Sequence, residues 1–193
     1  MGLSSIITLA LLALVAVFII IIAFIVAGIY NRFQQLKNGA EATFNQIKVA
    51  MKKRLDLLSE LLESVKSYAR YERDTFERVT KMRTEVMKAS TPQDLQKIDA
   101  ETRGILGNII VSVENYPELK TSSVVQELMS SAKSVEDEIA RLRYTYNNVV
   151  QEYNTRMDII PDSIIARLMG LKKLEYLHFE EAVERRPELN WNI

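Results

Sequence analysis

The sequence predicts an all-α protein: an N-terminal single transmembrane helix, then an elongated antiparallel bundle of three to four long helices and a short C-terminal helical segment. Three observations predict this fold class. A long apolar run opens the chain, apolar residues then recur at steps of three and four, and turn-forming residues are scarce. Only 6 Gly and 4 Pro occur in 193 residues, too few for a turn-rich β fold.

Residues 6–29 form the apolar run, in which Thr8 carries the only hydroxyl and no side chain is charged. As a helix this run would be about 36 Å long, enough to cross the ~30 Å hydrocarbon core of a bilayer. No Lys or Arg precedes the run, which is also longer than the core of a signal peptide. We therefore predict a permanent span rather than a cleaved signal peptide.

The residues that flank the span predict its orientation. Residues 1–5 carry no charged side chain, whereas Arg32, Lys37 and Lys48 follow the span. Lys and Arg favour the cytoplasmic side, and interfacial aromatic residues such as Tyr30 favour the membrane boundary. We expect residues 1–5 outside the cytoplasm, a single pass through the inner (cytoplasmic) membrane, and Tyr30 and Arg32 at the membrane exit, with the lipid bilayer as a partner.

The bundle is predicted over residues 30–160, and an amphipathic segment with a polar tail over 161–193. An apolar stripe runs at helical spacing through residues 33, 36, 40, 44, 47, 51, 55, 58, 62, 65 and 69. It passes residues 53–56 without a change of phase, so one helix explains that stretch better than a hairpin. The stripe weakens beyond residue 69, which leaves open whether residues 31–89 form one continuous helix.

Local signals set the limits of the later helices. Thr91 is a good N-cap, with Pro92 and Asp94 suited to the first turn of a helix. Tyr116-Pro117 ends that helix, since the residue before Pro avoids helical geometry. Gly104 and Gly107 inside it predict a close helix contact. The last long helix begins near residue 122, keeps a heptad pattern, and stops at Ile160-Pro161, followed by an amphipathic helical segment over roughly 163–184.

A Tyr-Asn pair recurs at a spacing of seven, as Tyr146-Asn147 and Tyr153-Asn154. Residues seven apart occupy the same position of a heptad, two helical turns apart. We expect the Tyr rings to pack in the core with their hydroxyls reaching outward, and the Asn amides to bridge to a neighbouring helix. The alternative is that this Tyr-Asn ladder forms a ligand or partner site.

Several classes of chemistry find no support in the composition. The 25 basic and 25 acidic residues balance, which offers no basic footprint for nucleic acid. The chain has no Cys and only His178, a poor basis for a metal site. No glycine-rich phosphate loop and no catalytic serine motif occurs, and the carboxylates, Glu136 among them, fall mostly between apolar positions. We therefore expect no catalytic, cofactor-binding or metal-binding residues and no enzymatic activity.

Five stretches together resemble the LemA family of bacterial membrane proteins: Tyr30-Asn31, LLESVKSYARYE (61–72), VENYPELK (113–120), EIARLRYTYNNVVQEYNT (138–155) and YLHFEEAVERRP (176–187). The resemblance covers nearly the whole chain. One departure is that residues 55–60 lack the Pro usual there, which puts a family-type bend in doubt. The family implies an N-terminal anchor with its N-terminus outside, a cytoplasmic antiparallel bundle, and no catalytic residues to carry over. Because some members are encoded beside a membrane metalloprotease, such a protease is a candidate partner.

The first functional hypothesis is a membrane-anchored, non-enzymatic scaffold or adaptor, in membrane protein quality control or envelope organisation. Its candidate contact is the turn at Tyr116, Pro117 and Glu118, because exposed loops often carry function; the alternative is a turn that only positions two helices.

The second hypothesis is a self-assembling homo-oligomer, a patch, ring or shell that remodels the bilayer. The apolar residues of 163–177 would serve that assembly, fold back on the bundle or lie on the bilayer surface. Small-molecule sensing by the Tyr-Asn ladder is a third hypothesis.

Overall fold

The computed structural model describes residues 3–66, 68 and 73–178, apart from the side chains of residues 3–6 and 73. All regular secondary structure in this part of the chain is helical, which confirms the predicted all-α class. The helices are α1 (Leu3–Val65), α2 (Arg73–Lys88), α3 (Pro92–Asn115), α4 (Pro117–Thr121), α5 (Ser123–Asp158) and α6 (Asp162–Leu168).

The described residues divide into two compact units, and α1 and α5 each contribute to both. The first unit comprises residues 3–42 and 148–174, and its core contains Phe33, Leu36, Tyr153 and Ala166. The second unit comprises residues 43–147 and 175–178. The domain limits expected near residues 30 and 160 remain predictions.

The second unit is built around four helices, α1, α2, α3 and α5. The side chain of Arg54 on α1 pairs with Asp99 on α3 and Glu136 on α5. The hydroxyl of Thr102 on α3 contacts the sulfur of Met82 on α2. The side chains buried among these helices are mainly aliphatic, including Ile47, Met51, Leu55, Leu58, Leu62, Val79, Val86, Leu95, Ile109, Val135 and Ile139. The apolar periodicity of each helix therefore faces a shared core, as a helical bundle requires.

Helix α1 contains 63 residues, which corresponds to a length of about 95 Å. Among the described helices it is the one long and apolar enough to cross a membrane. The side chains from Ile7 to Val26 are exposed, whereas Phe33, Ile47 and Leu55 are buried. The helix continues through residues 53–56, as the phase of the apolar stripe predicts.

Helix α1 ends at Val65. Residues 31–89 therefore do not form one continuous helix. Nη2 of Arg83 on α2 lies 2.5 Å from Oδ1 of Asp56 on α1. In one continuous helix these residues would lie about 40 Å apart, so α2 folds back along α1. Neither Gly nor Pro marks this turn in the sequence. Folding back buries Val79 and Val86 of α2, and each such burial contributes about 1.5–3 kcal/mol.

Helix α3 begins as the sequence predicts, with a capping box at Thr91. The Thr91 hydroxyl accepts a hydrogen bond from the Asp94 N–H at 3.2 Å. The Asp94 carboxylate accepts hydrogen bonds from the N–H groups of Ser90 and Thr91, both at 3.0 Å. These bonds favour the ionised carboxylate and hold the pKa of Asp94 below its usual value.

The prediction that another helix packs closely against the two glycines of α3 is wrong. A Cβ atom at Gly104 or Gly107 would meet nothing within 4 Å outside the backbone of its own helix in the described structure. Both positions are exposed on the outer face of α3. Helix packing therefore provides no reason for glycine at either position.

The short C-terminal helical segment is α6, so the amphipathic segment expected over roughly 163–184 is helical only as far as Leu168 among the described residues. Gly170 has a φ of 64°, and the N–H of Leu171 donates to the carbonyl of Ala166 at 3.0 Å. This is a Schellman motif, in which a left-handed glycine terminates the helix. Residues 171–178, termed the C-terminal segment below, have no regular secondary structure, and residues 179–184 lie outside the described part.

The reversal between α1 and α2 predicts a short distance between two exposed positions, Lys53 and Met87. With both replaced by spin-labelled Cys, double electron–electron resonance should give about 20 Å or less, since packed helix axes lie 8–10 Å apart. One continuous helix would place them about 51 Å apart. The pair Asp74→Cys and Met87→Cys within α2 is the control, at about 20 Å in either arrangement. A Lys53–Met87 distance above 40 Å would contradict the hairpin.

Candidate functional site

The predicted contact turn lies between α3 and α5 and is exposed. Tyr116 adopts an extended conformation with φ −117° and ψ 104°, and Pro117 begins α4. The N–H groups of Leu119 and Lys120 donate to the Tyr116 carbonyl at 3.0 and 3.2 Å. The Leu119 side chain is buried, whereas Tyr116, Pro117 and Glu118 are exposed. One apolar anchor thus holds a turn whose other side chains face solvent.

A second aromatic ring lies beside this turn. Tyr68, just after the end of α1, places its ring centroid 6.1 Å from that of Tyr116, with the planes inclined at 55°. Both rings remain exposed. Tyrosines that combine apolar area with a polar hydroxyl are enriched at protein interfaces. The pair belongs to two segments 48 residues apart, so sequence spacing alone does not reveal it.

Asn154, in the first unit, binds the main chain of the C-terminal segment through both ends of its amide. Its Nδ2 donates to the carbonyl of Leu174 at 2.9 Å, and the N–H of Leu174 donates to its Oδ1 at 2.9 Å. The neighbouring Tyr153 packs edge-on against Phe33, with ring centroids 5.4 Å apart. Burial raises the pKa of the Tyr153 hydroxyl, as expected for a ring in an apolar core.

Asn147, in the second unit, makes the same pair of bonds to Leu177. Its Nδ2 donates to the Leu177 carbonyl at 3.0 Å, and the Leu177 N–H donates to its Oδ1 at 2.9 Å. The hydroxyl of Tyr146 donates to the carbonyl of Glu175 at 3.0 Å. Burial, with a contribution from the Glu175 charge, raises the pKa of Tyr146. The partner of the Asn amides is thus the C-terminal segment rather than a neighbouring helix.

This pairing accounts for the spacing of seven between the two Tyr-Asn pairs. Seven residues of α-helix advance about 10.5 Å. Three residues of extended chain, the separation of Leu174 and Leu177, advance about 10 Å. A heptad on α5 therefore matches three residues of the C-terminal segment, and the same two-bond contact can occur twice. The Tyr-Asn ladder uses its amides to hold the chain's own backbone.

A buried charge network lies inside the second unit. The side chain of Arg54 is 2% exposed, and its Nη1 lies 2.7 Å from a carboxylate oxygen of both Asp99 and Glu136. Nε of Arg103 donates to the other oxygen of Asp99 at 2.8 Å. Nε and Nη2 of Arg54 have no hydrogen-bond acceptor in the described part of the chain. Glu136, one of the carboxylates that fall between apolar positions of the sequence, is partly exposed and pairs with the buried Arg54.

The predicted membrane-exit residues lie in the first unit. The Tyr30 ring is exposed, and the guanidinium of Arg32 pairs with the carboxylate of Glu152 on α5. The hydrogen bond from Arg32 holds the pKa of Glu152 below its usual value, with a smaller contribution from Arg156. Arg32 therefore ties α1 to α5 in addition to carrying a charge next to the apolar run.

His178 borders a surface groove of about 490 Å³ in the second unit. The other residues that line this groove have polar or mixed character: Gln93, Gln96, Lys97, Asp99, Ala100 and Arg103. Among the described residues there is no group of three or more His, Cys, Asp and Glu side chains placed to hold a metal ion. The groove combines both signs of charge and presents no concentrated set of ligands.

A family model described as the LemA family matches residues 43–191. The chain belongs to the LemA family. The family match begins in the part of α1 that enters the second unit and includes every helix that follows. It includes the turn at Tyr116 and both Asn residues that hold the C-terminal segment.

Two curated relatives extend this comparison. The chain is 24% identical over 179 residues to magnetosome protein MamQ of Magnetospirillum gryphiswaldense, covering 79% of this chain and 66% of MamQ. It is 23% identical over 166 residues to protein LemA of Metamycoplasma hominis, covering 84% of this chain and 74% of that protein. The chain thus spans just under two thirds of the length of MamQ. Neither relative is named as an enzyme.

The charge network escaped the sequence analysis although a signal for it exists. Residues 47, 51, 54, 58, 61 and 65 also follow steps of three and four, which places Arg54 at a core position of α1. Asp99 lies four residues after Leu95 on the buried face of α3. A lone basic residue at a core position requires a buried acidic partner, but its identity depends on how the helices pack.

Loss of the Asn154 amide should release the C-terminal segment. Asn154→Ala leaves the N–H and carbonyl of Leu174 without their partners, at a cost of about 1–3 kcal/mol. Trypsin cleavage after Lys173 should accelerate about tenfold, because cleavage requires local detachment of the segment. The measurement is the appearance rate of the C-terminal fragment by mass spectrometry.

Asn148→Ala provides the matched control for this experiment. Asn148 lies on the same helix but is exposed, and its replacement should leave the cleavage rate unchanged. Equal rates in the Asn154 and Asn148 variants would contradict a holding role for the amide.

Removal of Arg54 should destabilise the second unit through the charges it leaves behind. Arg54→Met leaves the buried Asp99 carboxylate paired with the partly exposed Arg103 alone among the described residues, and should cost about 3 kcal/mol. Arg54→Met combined with Asp99→Asn should recover part of that loss, because the second change removes a buried charge that has lost its buried partner. Urea unfolding followed by circular dichroism in detergent micelles measures all four members of the cycle. Additive losses in the double variant would show that the two charges are not coupled.

Proposed function

We propose that this chain is a non-enzymatic, membrane-anchored scaffold or adaptor that presents a helical bundle to a protein partner at the cytoplasmic face. The observation that supports it most strongly is the continuity of α1. One helix carries both the apolar run that can span a membrane and the buried residues at the centre of the second unit. Anchor and bundle are therefore joined without an intervening loop.

The two parts of α1 carry the side chains that these roles require. From Ile7 to Val26 the helix exposes apolar side chains all round, as a lipid-facing helix does. From Phe33 onward only one stripe is apolar, and that stripe is buried. Loss of the apolar run would remove the anchor, whereas loss of the stripe would remove the core.

The charges next to the span support the proposed topology. Arg32 and Lys37 lie just beyond the apolar run, whereas the side chains of residues 1–5 are uncharged. The preference of Lys and Arg for the cytoplasmic side favours a single pass through the cytoplasmic membrane with the N-terminus outside.

The exposed turn between α3 and α5 is the proposed partner contact. Tyr68 and Tyr116 supply two adjacent aromatic rings, and Glu118 supplies a charge beside them. Aromatic residues dominate the binding energy of many interfaces. The buried side chain of Leu119 holds the turn in place, so the exposed side chains of the turn remain available to a partner. A membrane-bound metalloprotease remains the candidate partner suggested by family association.

Self-assembly is the second candidate. The exposed apolar side chains of Ile160, Ile164 and Leu168 support it, because they provide area that another copy of the chain could cover. The mass of the full-length protein in native lipid particles separates the two functions. A large species that contains only this chain favours self-assembly, whereas a species with a second protein favours the adaptor.

The adaptor function predicts that the turn controls partner capture. Tyr116→Ala combined with Glu118→Lys should reduce the co-purified partner at least tenfold in native lipid particles, since an aromatic anchor at an interface contributes about 2 kcal/mol or more. Tyr144→Ala is the matched control, because Tyr144 is an exposed Tyr on α5. Unchanged capture by the double variant, with the melting temperature preserved, would reject this turn as the contact.

A further inference from the structure

An exposed apolar strip follows the end of α5 and the outer face of α6, in the first unit. Ile160, Ile164 and Leu168 are 79%, 53% and 80% exposed. Their spacing of four residues places Ile164 and Leu168 on one face of α6. Ile159, also exposed, lies beside them in the turn before the helix. These four exposed aliphatic residues, which lie within ten positions of one another in the sequence, are termed the apolar strip.

The opposite face of α6 already has a partner, so the strip is not needed for the core. Asp162, Ser163 and Ala166 are buried. Ala166 packs in the apolar cluster with Phe33 and Tyr153, and the Asp162 carboxylate pairs with Arg156 at 2.8 Å. Helix α6 is therefore attached by one face and presents the strip on the other.

The position of the strip along α1 follows from the antiparallel contact of α5 with α1. Gly39 lies beside Val149, Phe33 packs on Tyr153, and further along Ile29 and Met157 border the same apolar cluster. Over these three contacts, positions nearer the end of α5 meet positions nearer the start of α1. The N–H of Ile159 still bonds to the carbonyl of residue 155 at 3.2 Å. The start of the strip therefore lies beside residues 26–29, the last turn of the apolar run.

Cations flank the strip. Arg167 lies on α6 between strip residues, and Lys172 follows the helix; both are exposed, and no described residue forms an ion pair with either. Neighbouring Lys173 pairs with Asp158 at 2.8 Å. An apolar face bordered by Lys and Arg is the pattern of helices that lie in a membrane interface, where long cationic side chains reach the phosphates.

We infer that the apolar strip is a second membrane contact, inserted into the interfacial layer of the same bilayer that the apolar run of α1 spans. This inference rests on the proposed membrane anchor. Lipid is the occupant that the geometry favours, because the strip begins at the level of the last apolar turn of α1, next to the proposed span. Arg167 and Lys172 contact lipid phosphates. Two contacts with the bilayer fix the rotation of α1 about its axis, which a single span leaves free.

Site-directed spin labelling of the full chain tests this contact. Because the chain has no Cys, Ile160→Cys or Leu168→Cys carries one nitroxide at an exposed site that the fold tolerates. The variants are reconstituted in phosphatidylethanolamine–phosphatidylglycerol vesicles. Collision of the nitroxide with oxygen, which concentrates in lipid, is compared with its collision with a water-soluble nickel chelate. Val124→Cys, an exposed apolar position at the other end of α5, is the aqueous control, and Phe18→Cys within the span is the lipid control.

The expected result is an oxygen-to-nickel collision ratio at residues 160 and 168 that exceeds the ratio at residue 124 severalfold. A ratio equal to that at residue 124 would place the strip in water and overturn the inference. Low collision with both reagents would place it under protein, such as a second copy of the chain, and would also overturn it. A high oxygen-to-nickel ratio at residue 18 with a low ratio at residues 160 and 168 would overturn the strip as a membrane contact and retain the membrane anchor. A water signal at residue 18 would overturn the anchor and the strip together.

Discussion

The structure depends on one helix that meets two different environments. In its apolar run, α1 is exposed on every side, which matches a surrounding of lipid. Further along, the same helix buries a single stripe against α2, α3 and α5. Nothing in the helical backbone changes between the two parts, since α1 runs unbroken from Leu3 to Val65. The transition is made by side chains alone, where charged residues such as Arg32 and Lys37 first appear on the helix surface.

The network around Arg54 selects how the bundle packs. A buried guanidinium is costly unless carboxylates surround it, and only a packing that brings together α1, α3 and α5 supplies both Asp99 and Glu136. An apolar residue at position 54 would tolerate small shifts of register between helices. A charged residue that must meet both carboxylates restricts such shifts, because each lost pairing leaves a buried charge with fewer partners. Nε and Nη2 of Arg54 have no acceptor within the described part of the chain.

Hydrophobic periodicity and local capping motifs predicted most of the helices. The steps of three and four identified the helices, and the capping box at Thr91 located the start of α3. The end of α1 at Val65 could not be predicted, because no residue there breaks a helix and the turn arises from burial of α2. The C-terminal segment was missed for a related reason. Its conformation depends on Asn147 and Asn154, which lie 30 and 20 residues before their bonded partners.

The C-terminal segment shows how side-chain amides can replace a strand. An extended chain with no neighbouring strand leaves its backbone donors and acceptors unpaired, and burying them unpaired is costly. An Asn amide presents one donor and one acceptor, the same groups that a peptide unit in a neighbouring strand would offer. Two Asn residues on α5 therefore satisfy the main chain at Leu174 and Leu177, while the Tyr beside each packs into its own core. The repeated Tyr-Asn pair thus has a structural task in each unit.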